Sequence, residues 1–332
     1  MNILIIGGAG YIGAHVAREF LDAGHKVTVY DNLSSGLAQN IFDDEDFVEG
    51  DTMDFIGLID TMRRGFDAIV HLAAFKSAGE SMLRPEKYAV NNINSTVHIL
   101  NAAAESGIKY IIFSSSAAVY GNPQYIPIDE KHPVNPANFY GFTKLEVERL
   151  LGWYDKLKGL RYAALRYFNA AGYDLNLRVT GLEQNPANLL PIIMETACGT
   201  RKEVLVFGCD YDTPDGSGVR DYIHVTDLAR GHVAALERLI KTGTSFTLNL
   251  GGENGISVLE MIDAAKRISG RDIPYRITDR RPGDAAKLIA SSEKAGELLD
   301  WKAQYSDMET LISSSWKAYL NNAEKDAKPA LS

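Results

Sequence analysis

The sequence predicts an α/β fold: a doubly wound parallel sheet with a smaller, loop-rich C-terminal domain folded against it. Three observations carry that expectation. The first half alternates short apolar β-rich runs with helical patterns, the opening run leads through a glycine cluster straight into a helix, and this rhythm breaks from about residue 173 to 221 before resuming. At 332 residues the chain is longer than one hydrophobic core usually grows, so two lobes are expected.

In chain order, Asn2–Ile6 reads as a strand, Ile12–Ala23 as a helix and Lys26–Tyr30 as a second strand. Ala68–Leu72 and Tyr110–Ser114 are further strands, separated by a helical stretch over Val90–Glu105. Strand–helix–strand alternation of this kind means a parallel sheet with helices on both faces. From Tyr173 to Asp221 the chain is punctuated by Asn, Pro and Gly, as in Glu183-Gln184-Asn185-Pro186 and Asp212-Thr213-Pro214-Asp215-Gly216, which predicts a loop-rich, ligand-facing lobe. Strand and helix patterns return at Ser245–Leu250 and Val258–Ile268, and the segment after Asn321 is short and polar. These breaks divide the chain into a nucleotide-binding domain of residues 1–172 and about 222–250, a substrate domain of about 173–221 and 251–320, and a tail of 321–332.

Composition excludes several classes. Hydrophobic residues are 45% and charged residues 23%, ordinary values for a globular protein. Lys and Arg total 34 against 43 Asp and Glu, a net charge of −9 that repels polyanions and argues against nucleic acid as a partner. The first apolar run has no basic segment ahead of it and is too short to cross a bilayer, so a cytoplasmic protein without membrane association is expected. Cys198 and Cys209 are the only cysteines, which rules out a disulfide framework and suits a reducing compartment. No metal centre is expected.

The glycine cluster Gly7-Gly8-Ala9-Gly10-Tyr11-Ile12-Gly13 follows the first strand and opens a helix. Small residues there allow the backbone to approach a pyrophosphate, whose charge rests against the helix N-terminus. The second strand ends at Asp31, the separation at which a carboxylate meets a ribose diol and repels a 2′-phosphate, so the nucleotide is expected to be NAD on a Rossmann-type sheet. Asp51 and Thr52, then Leu72 and Ala73, stand at later strand ends facing the same ligand. Tyr140-Gly141-Phe142-Thr143-Lys144 sets a phenol and an ammonium on one helix face. A phenol titrates near pH 10, so it serves as a base only beside positive charge, which Lys144 and an oxidised nicotinamide supply. Ser116, at the end of the strand that includes Ile111-Ile112-Phe113, is placed to bond the same substrate oxygen.

In Gly7–Gly13, Tyr30-Asp31-Asn32-Leu33, Ser114–Gly121, Leu165-Arg166-Tyr167-Phe168-Asn169 and Gly218–Val225 the chain resembles the extended short-chain dehydrogenase/reductase family, in its NAD-dependent epimerase branch. The resemblance extends over nearly the whole length and implies Ser116, Tyr140 and Lys144 as catalytic residues. It implies Gly7, Gly10, Tyr11, Ile12, Gly13, Asp31 and Asn32 around NAD, with Lys76, Asn92, Tyr167 and Phe168 near its nicotinamide end. Departures are Phe139 directly before the tyrosine and Ala74 where the family often has glycine; neither removes a reacting group.

The implied activity is interconversion of UDP-glucose and UDP-galactose by inversion at C4 through a transient 4-keto sugar, with tightly bound NAD. An acidic protein must supply cations for the diphosphate locally, and Arg220 and Arg281 are the candidates, with Tyr222 beside the first and Asp284 after the second. Similarity adds Asn169, Asn188, Leu189, Leu205 and Phe207 to the nucleotide-sugar site, and Leu288 at a position that shapes the sugar pocket. Leu288 is smaller than an aromatic residue, so acetamido sugars are expected to fit as well. Other UDP-sugars, such as UDP-GlcNAc, UDP-GalNAc or a UDP-pentose, are the alternative substrates. A dehydratase is disfavoured by Ala117-Ala118, where such enzymes carry an acidic pair, and a catalytically silent binding protein by the intact Ser116, Tyr140 and Lys144. Relatives dimerise through helices of the cofactor domain, so a homodimer is expected.

Overall fold

The computed structural model describes residues 1–184, 186–281 and 284–326. The chain begins with β1 (Asn2–Ile6), α1 (Tyr11–Asp22), β2 (Lys26–Asp31), β3 (Asp46–Glu49), α2 (Phe55–Met62) and β4 (Ala68–His71). Two short helices, α3 (Ala78–Leu83) and α4 (Pro85–Tyr88), precede α5 (Ser95–Glu105), β5 (Tyr110–Ser116), α6 (Phe139–Lys158) and β6 (Arg161–Tyr167). Then come β7 (Asn169–Ala171), α7 (Leu189–Ala197), β8 (Val204–Phe207), β9 (Val219–Arg220), β10 (Tyr222–His224), α8 (Val225–Thr242) and β11 (Phe246–Leu250). The last elements are β12 (Ile256–Ser257), α9 (Val258–Ser269), β13 (Tyr275–Thr278), β14 (Lys287–Leu288), α10 (Glu293–Leu299) and α11 (Met308–Asp326).

Seven parallel strands form one sheet in the order β11-β6-β5-β4-β1-β2-β3. Side chains alternate across a strand, so Ile3 and Ile5 face one layer and Leu4 and Ile6 the other. Both layers are apolar. On the first, Val16 and Phe20 of α1 and Leu228 and Leu236 of α8 pack against Ile3, Ile5, Val27 and Leu165. On the second, Leu58 and Met62 of α2, Ile99 of α5 and Val147 and Leu151 of α6 cover Leu4, Ile6, Ile69 and Ile111. Each such side chain contributes about 1.5–3 kcal/mol by burial, so the sheet is held from both faces and its C-terminal edge is free to carry loops.

Two elements differ from the sequence pattern. The helix read over Val90–Glu105 is not uniform: Ala89–Asn94 is a π-helical turn, and α5 proper begins at Ser95. The region read as loop-rich contains α7, whose apolar positions Leu190, Ile193, Met194 and Ala197 follow helical spacing. Pro191 falls in the first turn of α7, where an amide has no intrahelical partner and proline is tolerated. These α7 residues join Met261, Ile262 and Ala265 of α9 and Leu311 and Ile312 of α11 in a separate core. The helix α11 runs on into the segment read as a tail, and residues 327–332 lie outside the described residues. Among the described residues no helix is long and apolar enough to cross a membrane.

Candidate active site

A cavity of about 620 Å³ opens over the C-terminal edge of the sheet, and Gly7, Gly10, Tyr11, Ile12 and Gly13 line it. Gly7 has φ +87°, and a Cβ on it would lie 2.7 Å from the Ala73 nitrogen. A Cβ on Gly13 would lie 2.1 Å from the Gly7 oxygen, so helix α1 reaches the loop closely only because that position has no side chain. Gly10 precedes α1 and offers no side-chain cap. The first-turn amides of α1 are therefore left to an anionic ligand.

At the end of β2, Asp31 lines the cavity and is 8% exposed. Its carboxylate accepts from the Ala9 and Leu33 amides at 3.1 and 2.9 Å, which ties it to the glycine loop. Burial raises its pKa above the ordinary carboxylate value, and those two amides oppose the shift. Asn32, Thr52, Leu72 and Ala73 line the same end. Asp51 is not among the lining residues: it accepts from Asn32 Nδ2 at 2.9 Å and from the Met53 amide at 2.8 Å, so it bears on the ligand wall through Asn32. Asn92, in the π-helical turn, also stands behind the wall. Its Oδ1 accepts from the Phe75 amide at 2.9 Å, and its Nδ2 donates to the Phe75 carbonyl at 3.0 Å and to Thr143 Oγ1 at 3.1 Å.

At the other end, α6 presents Tyr140 and Lys144 one turn apart, and Ser116 faces them from the end of β5. Asn138 caps α6 by accepting from the Gly141 amide at 2.8 Å, and the Tyr140 amide donates to Ser81 Oγ at 3.0 Å, so the first turn is anchored. Lys144 is buried; its Nζ donates to the Ser114 carbonyl at 2.7 Å and lies 5.8 Å from the Tyr140 ring centroid. Burial pushes this ammonium down to about 7 from 10.5, and the Glu148 carboxylate opposes the shift. Burial also pushes the Tyr140 phenol well above its ordinary value, Tyr167 adds to the rise, and a hydrogen bond with Ser116 works against it. Such a phenol loses its proton, and so can serve as a base, only when cationic charge stands beside it, which a positively charged ligand ring would add to Lys144.

Tyr167, Phe168, Asn169 and Asn188 complete the cavity wall, and Lys76 pairs with Glu183 across it. Leu189, Leu205, Phe207, Arg220, Tyr222, Arg281, Asp284 and Leu288 are not lining residues of this cavity. Several of them gather in the second lobe. The Arg281 guanidinium lies 3.7 Å over the Phe207 ring centroid. Arg220 stands 3.7 Å from Asp284 and pairs with Leu288 across β9 and β14. Leu288 packs against the cluster that includes Val119 and Phe168, and Phe168 is itself a cavity residue. Leu205 is 37% exposed, whereas the Tyr222 ring is packed in the second core at 4%. Gly283, read together with Asp284, is outside the described residues.

The sequence reading missed Asn40, Tyr88 and Glu183, all cavity residues. Asn40 donates to the Ala9 carbonyl and accepts from the Gly181 amide, both at 3.0 Å. Its contacts come from distant parts of the chain, and no local pattern marks it.

A sequence model of the family described as "NAD dependent epimerase/dehydratase family" matches residues 3–251. The chain is 45% identical to a UDP-glucose 4-epimerase of Halalkalibacterium halodurans, covering 95% of each chain. Its fold matches a crystal structure of UDP-glucose 4-epimerase from Brucella ovis in complex with NAD at TM-score 0.93 and 42% identity, over 96% of this chain and 98% of that one. It also matches the UDP-Glc/GlcNAc 4-epimerase of Campylobacter jejuni at TM-score 0.84 and 38% identity, over 96% and 99%. A glycine cradle, an acidic residue at the end of β2 and a Tyr140–Lys144 pair on one cavity, with likeness along the whole chain, lead to one assignment: the chain belongs to the NAD dependent epimerase/dehydratase family.

Proposed function

We propose that this chain is an NAD-dependent UDP-sugar 4-epimerase that interconverts UDP-glucose and UDP-galactose. One observation carries the reading: Ser116, Tyr140 and Lys144 share a single cavity with the glycine cradle.

The residues present fit NAD. Gly13 lets α1 close up to the glycine loop, the α1 amides have no side-chain cap and suit an anion, and the buried Asp31 carboxylate suits a ribose diol. In this reading Gly7, Gly10, Tyr11, Ile12 and Gly13 hold the pyrophosphate, and Asp31, Asn32, Asp51, Thr52, Leu72 and Ala73 hold the adenosine half. Lys76, Asn92, Tyr167 and Phe168 surround the nicotinamide end. Bound NAD supplies a reversible acceptor for the hydrogen on the sugar C4 carbon. Tyr140 takes the proton of the O4 hydroxyl, Ser116 bonds the same oxygen, and Lys144 holds charge opposite the phenolate. Arg220 and Arg281 grip the diphosphate, with Asn169, Asn188, Leu189, Leu205, Phe207, Tyr222 and Asp284 around the nucleotide. A firmly held UDP and a loosely held 4-keto hexose let the sugar present its other face before the proton returns.

The reading includes a nucleotide domain of residues 1–172 and about 222–250 and a substrate domain of about 173–221 and 251–320. It includes a cytoplasmic location, which suits the unpaired Cys198 and Cys209. A homodimer is also part of it: on α6, Phe142, Trp153 and Leu157 are 40%, 59% and 70% exposed, an apolar stripe that a second copy would cover.

Incubating the purified protein with UDP-galactose and no added reductant tests the activity. UDP-glucose in the mixture is the expected result. A 4-keto-6-deoxy product would make the chain a dehydratase, and unchanged substrate would make it a binding protein. UDP-GlcNAc is a second substrate in this reading, because Leu288, packed against the cluster that includes the cavity residue Phe168, is smaller than an aromatic residue.

A further inference from the structure

The contacts between α6 and the sheet descend one helical turn at a time. Tyr140 and Ser116 face the same cavity, Lys144 donates to the Ser114 carbonyl at 2.7 Å, and Glu148 accepts from the Ser115 hydroxyl at 2.5 Å. Three successive residues of β5 thus stand against three successive turns of α6. The contact of Glu148 has no counterpart in the proposed chemistry. Glu148 is 8% exposed, and Arg166 of β6, equally buried, donates to both its oxygens, Nε to Oε1 at 2.9 Å and Nη2 to Oε2 at 2.6 Å. Arg166 also donates to the Tyr120 hydroxyl at 3.1 Å, which donates to Asn249 of β11 at 2.6 Å. Neither Glu148 nor Arg166 lines the cavity. A buried ion pair pays a desolvation penalty that apolar residues of the same volume avoid, so stability alone gives no reason for it.

We propose that Glu148, held by Arg166 and Ser115, is a positioning residue that fixes where Lys144 stands and supplies an anion that holds its charge beneath Tyr140. This rests on the epimerase reading, in which the Lys144 charge stands opposite the Tyr140 phenolate.

The groups around Lys144 come from three elements. Tyr140 and Glu148 flank it on α6; β5 gives the Ser114 carbonyl and the Phe113 ring, 4.8 Å from Nζ; β4 gives His71, which burial keeps neutral. Tyr167 of β6 lies beside Tyr140, and Arg166 stands on the far side of Glu148. Burial works to discharge Lys144, and Glu148 is the group that opposes it. Removing that negative charge makes each deprotonation of the Tyr140–Lys144 pair easier, so both limbs of the pH–rate profile move to lower pH. A purely structural contact, once lost, would lower the plateau and leave the limbs in place.

The test uses the NAD-bound enzyme and Glu148→Gln. Because that variant strands Arg166 as an unpaired buried cation, the double variant Glu148→Gln/Arg166→Met is measured beside it. In the single variant both limbs of kcat are expected to fall by about one pH unit with KM unchanged, and in the double variant they shift in the same direction by less. A second readout needs no turnover: in protein carrying 13C-lysine, the Lys144 Cε resonance, assigned with Lys144→Arg, should titrate at lower pH in both variants. An unmoved Lys144 titration in a folded variant overturns the proposal. If the wild-type protein epimerises no UDP-sugar, the functional reading falls, and the Lys144 titration still decides what Glu148 does.

Discussion

Gly13 and Gly10 belong to one glycine pattern, yet the structure gives them different duties. In Gly13→Ala the new Cβ meets the Gly7 oxygen at 2.1 Å and Gly8 Cα at 2.7 Å, both backbone atoms that cannot rotate away. Ordinary contact begins at 3.4 Å, so α1 must retreat from the loop by the difference, 1.3 Å. Overpacking of this kind costs about 1–3 kcal/mol, and alanine's helix propensity returns about 1 kcal/mol, so the fold survives. The α1 amides move with the helix. A hydrogen bond to a charged group contributes about 1.5–3 kcal/mol, so losing one pyrophosphate bond weakens NAD by roughly 10- to 150-fold. In Gly10→Ala the nearest atom is the Gly7 oxygen at 3.4 Å, and the loop keeps its shape. The assay is NAD retained per protomer after gel filtration, followed by calorimetric titration of NAD into stripped protein, with thermal unfolding of the stripped protein alongside. Gly13→Ala should lose NAD and lower the unfolding temperature, whereas Gly10→Ala should leave the stripped protein as stable as wild type. Full NAD occupancy in Gly13→Ala, or a larger stability loss in Gly10→Ala, would refute the cradle argument.

Tyr140→Phe keeps the ring and loses only the hydroxyl on the cavity that Ser116 also lines, so kcat should fall by about 100- to 10,000-fold while NAD content and unfolding temperature hold. Leu288→Tyr should reduce kcat/KM for UDP-GlcNAc by roughly tenfold more than for UDP-glucose, measured on a substrate panel; equal losses would show that position 288 does not select the sugar. Acid should destabilise the fold early. His15, His71, His224 and His232 are held neutral by burial, lowered to about 4, 3, 3 and 4. The unfolded chain takes up protons at these sites below pH 6.5 and the fold does not, so between about pH 7.5 and 5.5 each histidine removes roughly 1.4 kcal/mol. Glu45 and Asp221, raised by burial to about 7 and about 6, gain stability over the same interval and offset roughly half of this. Urea midpoints at the two pH values check the sign.

What was legible in the sequence was whatever chemistry local spacing encodes. A glycine loop between a strand and a helix, an acid at the next strand end and a tyrosine four residues before a lysine all act through backbone periodicity, so Gly13, Asp31, Tyr140 and Lys144 could be placed together in advance. Helix α7 was less legible because Pro191 in its first turn resembles loop punctuation. The resemblance sets Asn92 near the nicotinamide end; what the sequence did not show is that Asn92 sits in a π-helical turn with its amide on the Phe75 backbone, because that turn has no signature a 3.6-residue pattern would register.

Arg166 is the sharper case. It lies in the conspicuous stretch Leu165–Asn169, yet its neighbours Tyr167, Phe168 and Asn169 reach the cavity and Arg166 does not. Alternation along β6 sends position 166 to the face where α6 packs, and its partner Glu148 lies 18 residues upstream on that helix. A motif can therefore mark two faces at once, one lining the cavity and one holding the helix that carries Tyr140 and Lys144. Periodicity tells the two faces apart, but only the packing of α6 over β5 and β6 says which face meets the chemistry.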